Sequence, residues 1–153
     1  MPDYTVQPFV GVGPVLLGMS RDEVRLAMPE PSKPFMKGQT SRCEVDAFHH
    51  NAFQVFYDAE TVTAEYIELS RGSVFRALYR GLDIFATPAG EVVAYISRDA
   101  AFDETDQEIP YSYIFRDLQL SLWRPTIPES DSDMDGRVFS TIGIGKRGYY
   151  DFA

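Results

Sequence analysis

The chain has little of what side-chain chemistry draws on. In 153 residues there is one cysteine, Cys43, one tryptophan, Trp123, and two histidines, His49 and His50. A single thiol excludes an internal disulfide framework. Adjacent histidines on a strand point to opposite faces, so the pair is not expected to share a metal. G-x-S-x-G, H-E-x-x-H and Walker sequences are all missing. No run approaches the roughly 20 apolar residues that span a bilayer. The opening MPDYTVQPFVGVGP lacks the basic-then-apolar pattern of a secretory signal, so a cytoplasmic location is expected. Basic residues are also scarce. Fourteen Lys and Arg against 23 Asp and Glu leave a formal charge of -9. That balance repels nucleic acid and anionic membrane; it either attracts a basic protein or only keeps the chain soluble.

What is present is the makings of a folded sheet protein. Hydrophobic residues at 44% and aromatics at 14% suit one domain over residues 1–153 with a real core and a lean towards strands. The most informative pattern is self-similarity. GPVLLGMSRDEV from Gly13 and GLDIFATPAGEV from Gly81 are 68 residues apart, and Val6/Val74, Leu16/Ile84, Glu23/Glu91, Val24/Val92 and Met28/Ile96 match at that offset. Each copy reads as strand, turn and short helix. Ser20-x-x-Glu23 is a capping box, and Thr87-Pro88 reads as N-cap followed by the first helical residue. Pro29 and Pro31 end the first helix. Ser73–Arg80 has helical spacing, but its counterpart TVQPFVGVG carries proline and glycines, so the segment is expected to be extended.

Strands follow each helix. Phe53, Val55 and Tyr57 alternate, as do Leu118, Leu120 and Leu122, with Val138, Ile142 and Ile144 beyond. The apolar parity of TVTAEYIELS shifts between Ala64 and Ile67, which predicts a bulge. The expected fold class is α+β: two tandem repeats, about 4–70 and 72–150, each a short helix plus antiparallel strands, forming one sheet with the helices on one face. Two acidic connections stand out. Asp99–Pro110 reads as a loose loop, and Arg124–Gly136, with Glu129, Asp131, Asp133 and Asp135, reads as a projection from the sheet edge.

Three stretches invite a chemical reading. Asp131–Gly136 is D-x-D-x-D-G, the start of a calcium loop, but position twelve is Ile142 and the flanks are strands. Glu129 or Asp151 would have to complete the ligand set, so no metal or cofactor is expected. GIGKRG holds G-x-G-x-x-G with no helix after it and reads as a turn with Lys146 and Arg147 at its tip. Trp123 faces away from the leucine row. With Tyr149, Tyr150 and Phe152 it forms either an exposed aromatic patch or a second packed face under the C-terminal tail.

Gly11–Pro31, with its glycine-rich lead, L-G-M-S and E-V before proline, resembles a pattern of small bacterial proteins. The helix-then-sheet halves resemble the SmpA outer-membrane assembly lipoproteins and the tandem β-lactamase inhibitor protein. With GLDIFATPAGEVVAYI, LQLSLWRP and the terminal GYYD, the chain is similar to immunity proteins found beside bacterial polymorphic toxins. The resemblance implies a non-catalytic protein that binds and neutralises a cognate toxin, and it carries no catalytic residue over. The contact residues expected are Asp103, Glu104, Asp106, Glu108, Trp123, Glu129, Asp131, Asp133, Asp135, Tyr149 and Tyr150, facing a basic toxin surface. The alternatives are a small metal-dependent enzyme using Asp46, His49 or the acidic loop, and an envelope-assembly scaffold.

Overall fold

The structure is a computed structural model that describes residues 1–38 and 43–151. The first half runs β1 (Asp3–Gln7), β2 (Gly11–Val12), β3 (Val15–Leu16), α1 (Arg21–Ala27), β4 (Asp46–Phe48), β5 (Phe53–Tyr57) and β6 (Ala64–Ser70). The second runs β7 (Arg76–Tyr79), β8 (Leu82–Asp83), α2 (Ala89–Ile96), β9 (Ser112–Phe115), β10 (Leu120–Trp123) and β11 (Thr141–Gly145). The class is α+β, mostly strand with two short helices.

The expected single sheet is two. A five-stranded sheet has the order β3-β2-β1-β7-β8, and a six-stranded sheet the order β4-β5-β6-β11-β10-β9. The six-stranded sheet is antiparallel throughout and joins the halves at β6–β11, with Ile67 opposite Ile144. The other sheet joins them at β1–β7, and that pair is parallel, with Tyr4 opposite Ala77. The split follows from chain reach. Each hairpin precedes its helix, and the helix carries the chain away before the later strands begin, so the hairpins pair with each other in a separate layer.

Local chemistry explains the elements. Ser20 accepts the Glu23 amide and the Glu23 carboxylate accepts the Ser20 amide, closing the expected capping box on α1. Ser20→Ala should therefore lower stability by about 1 kcal/mol, measurable as a shift of the urea midpoint at constant slope. α2 departs from expectation. Its N-cap is Pro88, with no side-chain cap, because the Thr87 hydroxyl donates to the Asp83 carbonyl instead. Ser73–Arg80 is not helical, and its strand portion is β7. The bulge is present: Tyr57 pairs with Ala64 and Phe56 with Tyr66, leaving Glu65 extra. Leu118 and Gln119 are not in the strand. They form a turn, with Gln119 at φ 50°, and β10 starts at Leu120.

Phe53, Val55, Ile67, Leu69, Leu120, Leu122, Ile142 and Ile144 form the inner face of the six-stranded sheet. Val24 and Met28 of α1, Val92 and Ile96 of α2, and Tyr4, Val6, Val12 and Ala77 of the other sheet join them in one core cluster. Phe139, just before β11, is fully buried in it, while Val138, expected on the strand, is only half-buried.

Candidate functional site

The two acidic connections are built, not loose. In the first, Asp103 accepts the Thr105 amide at 2.9 Å, its hydroxyl at 2.6 Å and Arg116 Nε at 2.9 Å. Thr105 and then Arg116 hold this carboxyl below its usual range. Asp106 accepts the Glu108 amide at 2.9 Å. In the second, Asp133 accepts the Asp135 and Glu129 amides at 3.0 and 3.1 Å, which depress its carboxyl likewise. Such carboxylate-to-amide bonds fold the chain locally, as in Asx turns. Asp103, Asp106 and Asp133 are thus half-buried organisers, whereas Glu104, Glu108, Glu129, Asp131 and Asp135 are exposed.

Arg124 ties the two connections together. It follows Trp123 at the end of β10 and is only 9% exposed. Its Nε donates to the Pro110 carbonyl at 3.1 Å and its Nη1 to the Gly136 carbonyl at 2.9 Å. The guanidinium also lies 5.5 Å from the centre of the Phe139 ring. One buried cation therefore pins the end of each acidic segment. Gly136 has φ 73°, and a Cβ there would strike the Thr126 carbonyl, so glycine is required at this close approach. The second segment does not project from the sheet edge as its sequence suggests. The Arg137 carbonyl accepts the Ala89 amide at 2.8 Å, which lays the segment against the start of α2.

The aromatic residues occupy the outer face of the six-stranded sheet. Tyr66 and Tyr149 stack with centroids 4.6 Å apart and planes 5° apart. Tyr150 meets both rings edge-on, and its hydroxyl donates to Ser121 Oγ at 2.6 Å. Gln119 holds the same segment, accepting the Tyr150 amide at 2.6 Å and donating to Asp151 at 3.0 Å. Arg116 Nη1 adds a bond to the Tyr150 carbonyl. So Tyr149 and Tyr150 are a packed second face under the chain end, and not an open patch. Burial raises both phenols, that of Tyr149 well above its usual range. Trp123, on the same face as Ser121, stays 44% exposed. Phe152 lies outside the described residues.

Sequence reading missed the floor of this face. Gly143 and Gly145 alternate on β11 and strip it of side chains there. A Cβ at Gly143 would strike the Tyr66 ring and one at Gly145 would strike Tyr149. Two glycines at i and i+2 in a strand were the available signal. Arg124 and Gln119 gave no signal, since both depend on long-range partners. The turn reading of GIGKRG holds at its tip, where Lys146 pairs with Asp58 at 2.7 Å and Glu65 at 3.4 Å.

The residues of the enzymatic alternative are committed elsewhere. Asp46 is fully buried and accepts Arg25 through Nε and Nη2, Ser32 at 2.5 Å and Tyr57 at 2.6 Å. Burial raises its carboxyl, but these donors outweigh burial and the net shift is downward. Tyr57 is pushed far above its usual range by burial and by Asp46. His49 is in a turn, not a strand: His49, His50 and Asn51 all have positive φ. Its Nε2 hydrogen-bonds the Tyr4 hydroxyl at 2.7 Å, and its Nδ1 lies 2.9 Å from Glu30. Among the described residues no three His, Cys, Asp or Glu side chains converge as a metal site, and no helix is long and apolar enough to cross a membrane. No known protein family, curated protein or solved structure matches the chain.

Proposed function

We propose that this chain is a non-catalytic binding protein of the immunity type, which neutralises a cognate toxin by covering a basic surface of it. The observation that carries this reading is the Arg124 clamp. It ties two acidic segments together at their ends and leaves Glu104, Glu108, Glu129, Asp131 and Asp135 exposed, and the residue before it, Trp123, is itself 44% exposed. An exposed tryptophan is a favourable anchor for a protein partner, and exposed charge suits the rim of an interface. The internal bonding narrows the contact set, because Asp103 and Asp133 already spend both oxygens on the loops, Asp106 is half-buried, and Tyr149 and Tyr150 pack on the sheet. The common order of hairpin, helix and strands in the two halves supports a duplicated unit, with the expanded acidic connections of the second half adapted to the partner.

The test is coexpression with the product of the adjacent reading frame, copurification, and stopped-flow association at several salt concentrations. A 1:1 complex is expected. Glu129→Gln, Asp131→Asn and Asp135→Asn combined should slow association by about 10-fold at low salt and flatten its salt dependence, with dissociation little changed. Failure to copurify would remove the partner assignment. An unchanged association rate in the triple variant would remove the acidic loop from the interface.

A further inference from the structure

We infer that the Glu68 carboxylate, on the outer face of the six-stranded sheet, is the seat of an arginine side chain presented by the protein partner. The inference rests on the partner reading above for the source of the arginine, and on the residues around Glu68 for its chemistry. Glu68 lies in β6, with Gln54 of β5 directly opposite on one side and Gly143 of β11 on the other. Gly143 in turn faces Ser121 of β10. Residues opposite in register share a face, so the four form one row across the sheet. Neither helix covers this row, because Val24, Met28, Val92 and Ile96 pack into the core on the other side.

The carboxylate is half-buried and has no partner of its own. Among the described residues it makes no hydrogen bond and no ion pair. Lys37 acts on it only through space, because its Nζ is held over the Phe56 ring, 4.6 Å from the centre. Burial outweighs that help and raises the carboxyl. Glu68 in turn raises the phenols of Tyr66, Tyr149 and Tyr150, so it stands close to the aromatic cluster. None of those hydroxyls donates to it. Tyr150 donates to Ser121 Oγ at 2.6 Å, and the Tyr66 hydroxyl lies 3.5 Å from the same atom. A carboxylate desolvated without a counter-ion is costly, and a cation brought by a partner removes that cost.

The surroundings select a guanidinium. Gln54 Nε2 donates to the Asn51 carbonyl at 3.1 Å, which leaves Oε1 as a further acceptor on the strand beside Glu68. A guanidinium can fork onto both carboxylate oxygens and still offer an N–H to Gln54, whereas an ammonium has no planar fork to match. The neighbours of Glu68 on β5, β11 and β10 are uncharged: Gln54, Gly143, Thr141, Ser121 and Trp123. Gly143 and Ser121 keep the floor low between Glu68 and Trp123, which stand about 12 Å apart by strand spacing. One partner surface can therefore engage the tryptophan and seat an arginine at Glu68 together. The acidic segments then govern encounter, and the Glu68 pair governs residence.

Two arms test the assignment. The first is an amide NMR titration of the full chain with acetyl-glycyl-arginyl-glycinamide, against the same peptide with citrulline, which keeps the shape and lacks the charge, at matched ionic strength. The Gly143 and Gln54 amides should shift saturably in the millimolar range with arginine and not with citrulline. Lysine in the same peptide should bind less tightly. Glu68→Gln should weaken the arginine peptide by about 5-fold. The triple acidic-loop variant should leave its affinity within about 2-fold, which a response to net charge alone would not. The second arm is the copurified complex, in which Glu68→Gln should speed dissociation by about 10-fold with association little changed. Equal shifts with citrulline, lysine as tight as arginine, equal affinity in wild type and Glu68→Gln, or an equal loss in the triple variant would each overturn the assignment. So would an intact complex whose dissociation ignores Glu68→Gln, an outcome that leaves the partner reading standing. Failure to copurify removes the partner reading instead, and the peptide titration still decides the arginine site.

Discussion

Asp46→Ala is expected to lower the unfolding free energy by about 3 kcal/mol, a fall in Tm of about 6–12 °C for a chain of this size. The carboxylate is the hub between α1 and the inner face of the six-stranded sheet. Arg25 reaches it from the helix, Ser32 from the segment after the helix, and Tyr57 from the neighbouring strand. Removing it leaves the Tyr57 hydroxyl buried without an acceptor. Arg25 is 39% exposed on its side chain and can recover water, so the loss is placed at the lower end of what breaking a buried pair costs. Asp46→Asn keeps the shape and isolates the charge. The Asp46 carboxyl is held below its ordinary 3.8 in the folded chain. Its stabilisation is therefore complete above the unfolded value and is lost as pH falls through the folded one. The stability gap between wild type and Asp46→Asn should be constant from pH 7 to about 5 and narrow below about 4. Urea unfolding across that range checks it, and a gap that stayed flat down to pH 2.5 would sink the account.

How far the sequence could be read depends on whether each feature is local. The α1 cap, the alternation of β5 and the Glu65 bulge are set by residues within a few positions of one another, and all were legible. The two-sheet arrangement was not. It turns on the parallel pairing of β1 with β7, between segments some 70 residues apart whose short, mixed patterns do not state a partner. The same distinction divides the candidate site. The acidity of the two connections was plain, but which carboxylates face outward depends on Asx-type bonds and on Arg124. That arginine's contacts at Pro110 and Gly136 are fixed only by the fold. Tyr149 and Tyr150 were picked out as aromatic residues suited to a partner, and they found one within the chain. Their location on Tyr66 needed the register of β6 against β11, where Glu68 stands opposite Gly143 and Tyr66 opposite Gly145.

That register makes Gly143 the position where a single methyl group should matter most on the outer face. Gly143→Ala is expected to cost about 2–4 kcal/mol. An alanine Cβ there collides with the Tyr66 ring near its hydroxyl. A lone tyrosine on a sheet surface would swing aside, but this one is held against Tyr149 and met edge-on by Tyr150 and Phe56. Moving it forfeits stacking of about 0.5–1.5 kcal/mol per ring pair and part of its burial. Against this, alanine gains a few tenths of a kcal/mol over glycine in backbone entropy, too little to offset the collision. The double variant with Tyr66→Ala separates the causes. If the ring is the obstacle, Gly143→Ala should cost almost nothing once the ring is gone, and the two substitutions should couple by about 2 kcal/mol. Equal cost in both backgrounds would place the strain in the β11 backbone instead. Trp123 supplies a second readout, since it shares its strand face with Ser121, to which Tyr150 is bonded. Displacement of the tyrosines by Gly143→Ala should change tryptophan emission in the folded state, and Ser20→Ala, at the cap of α1 beside Thr63, should leave it unchanged.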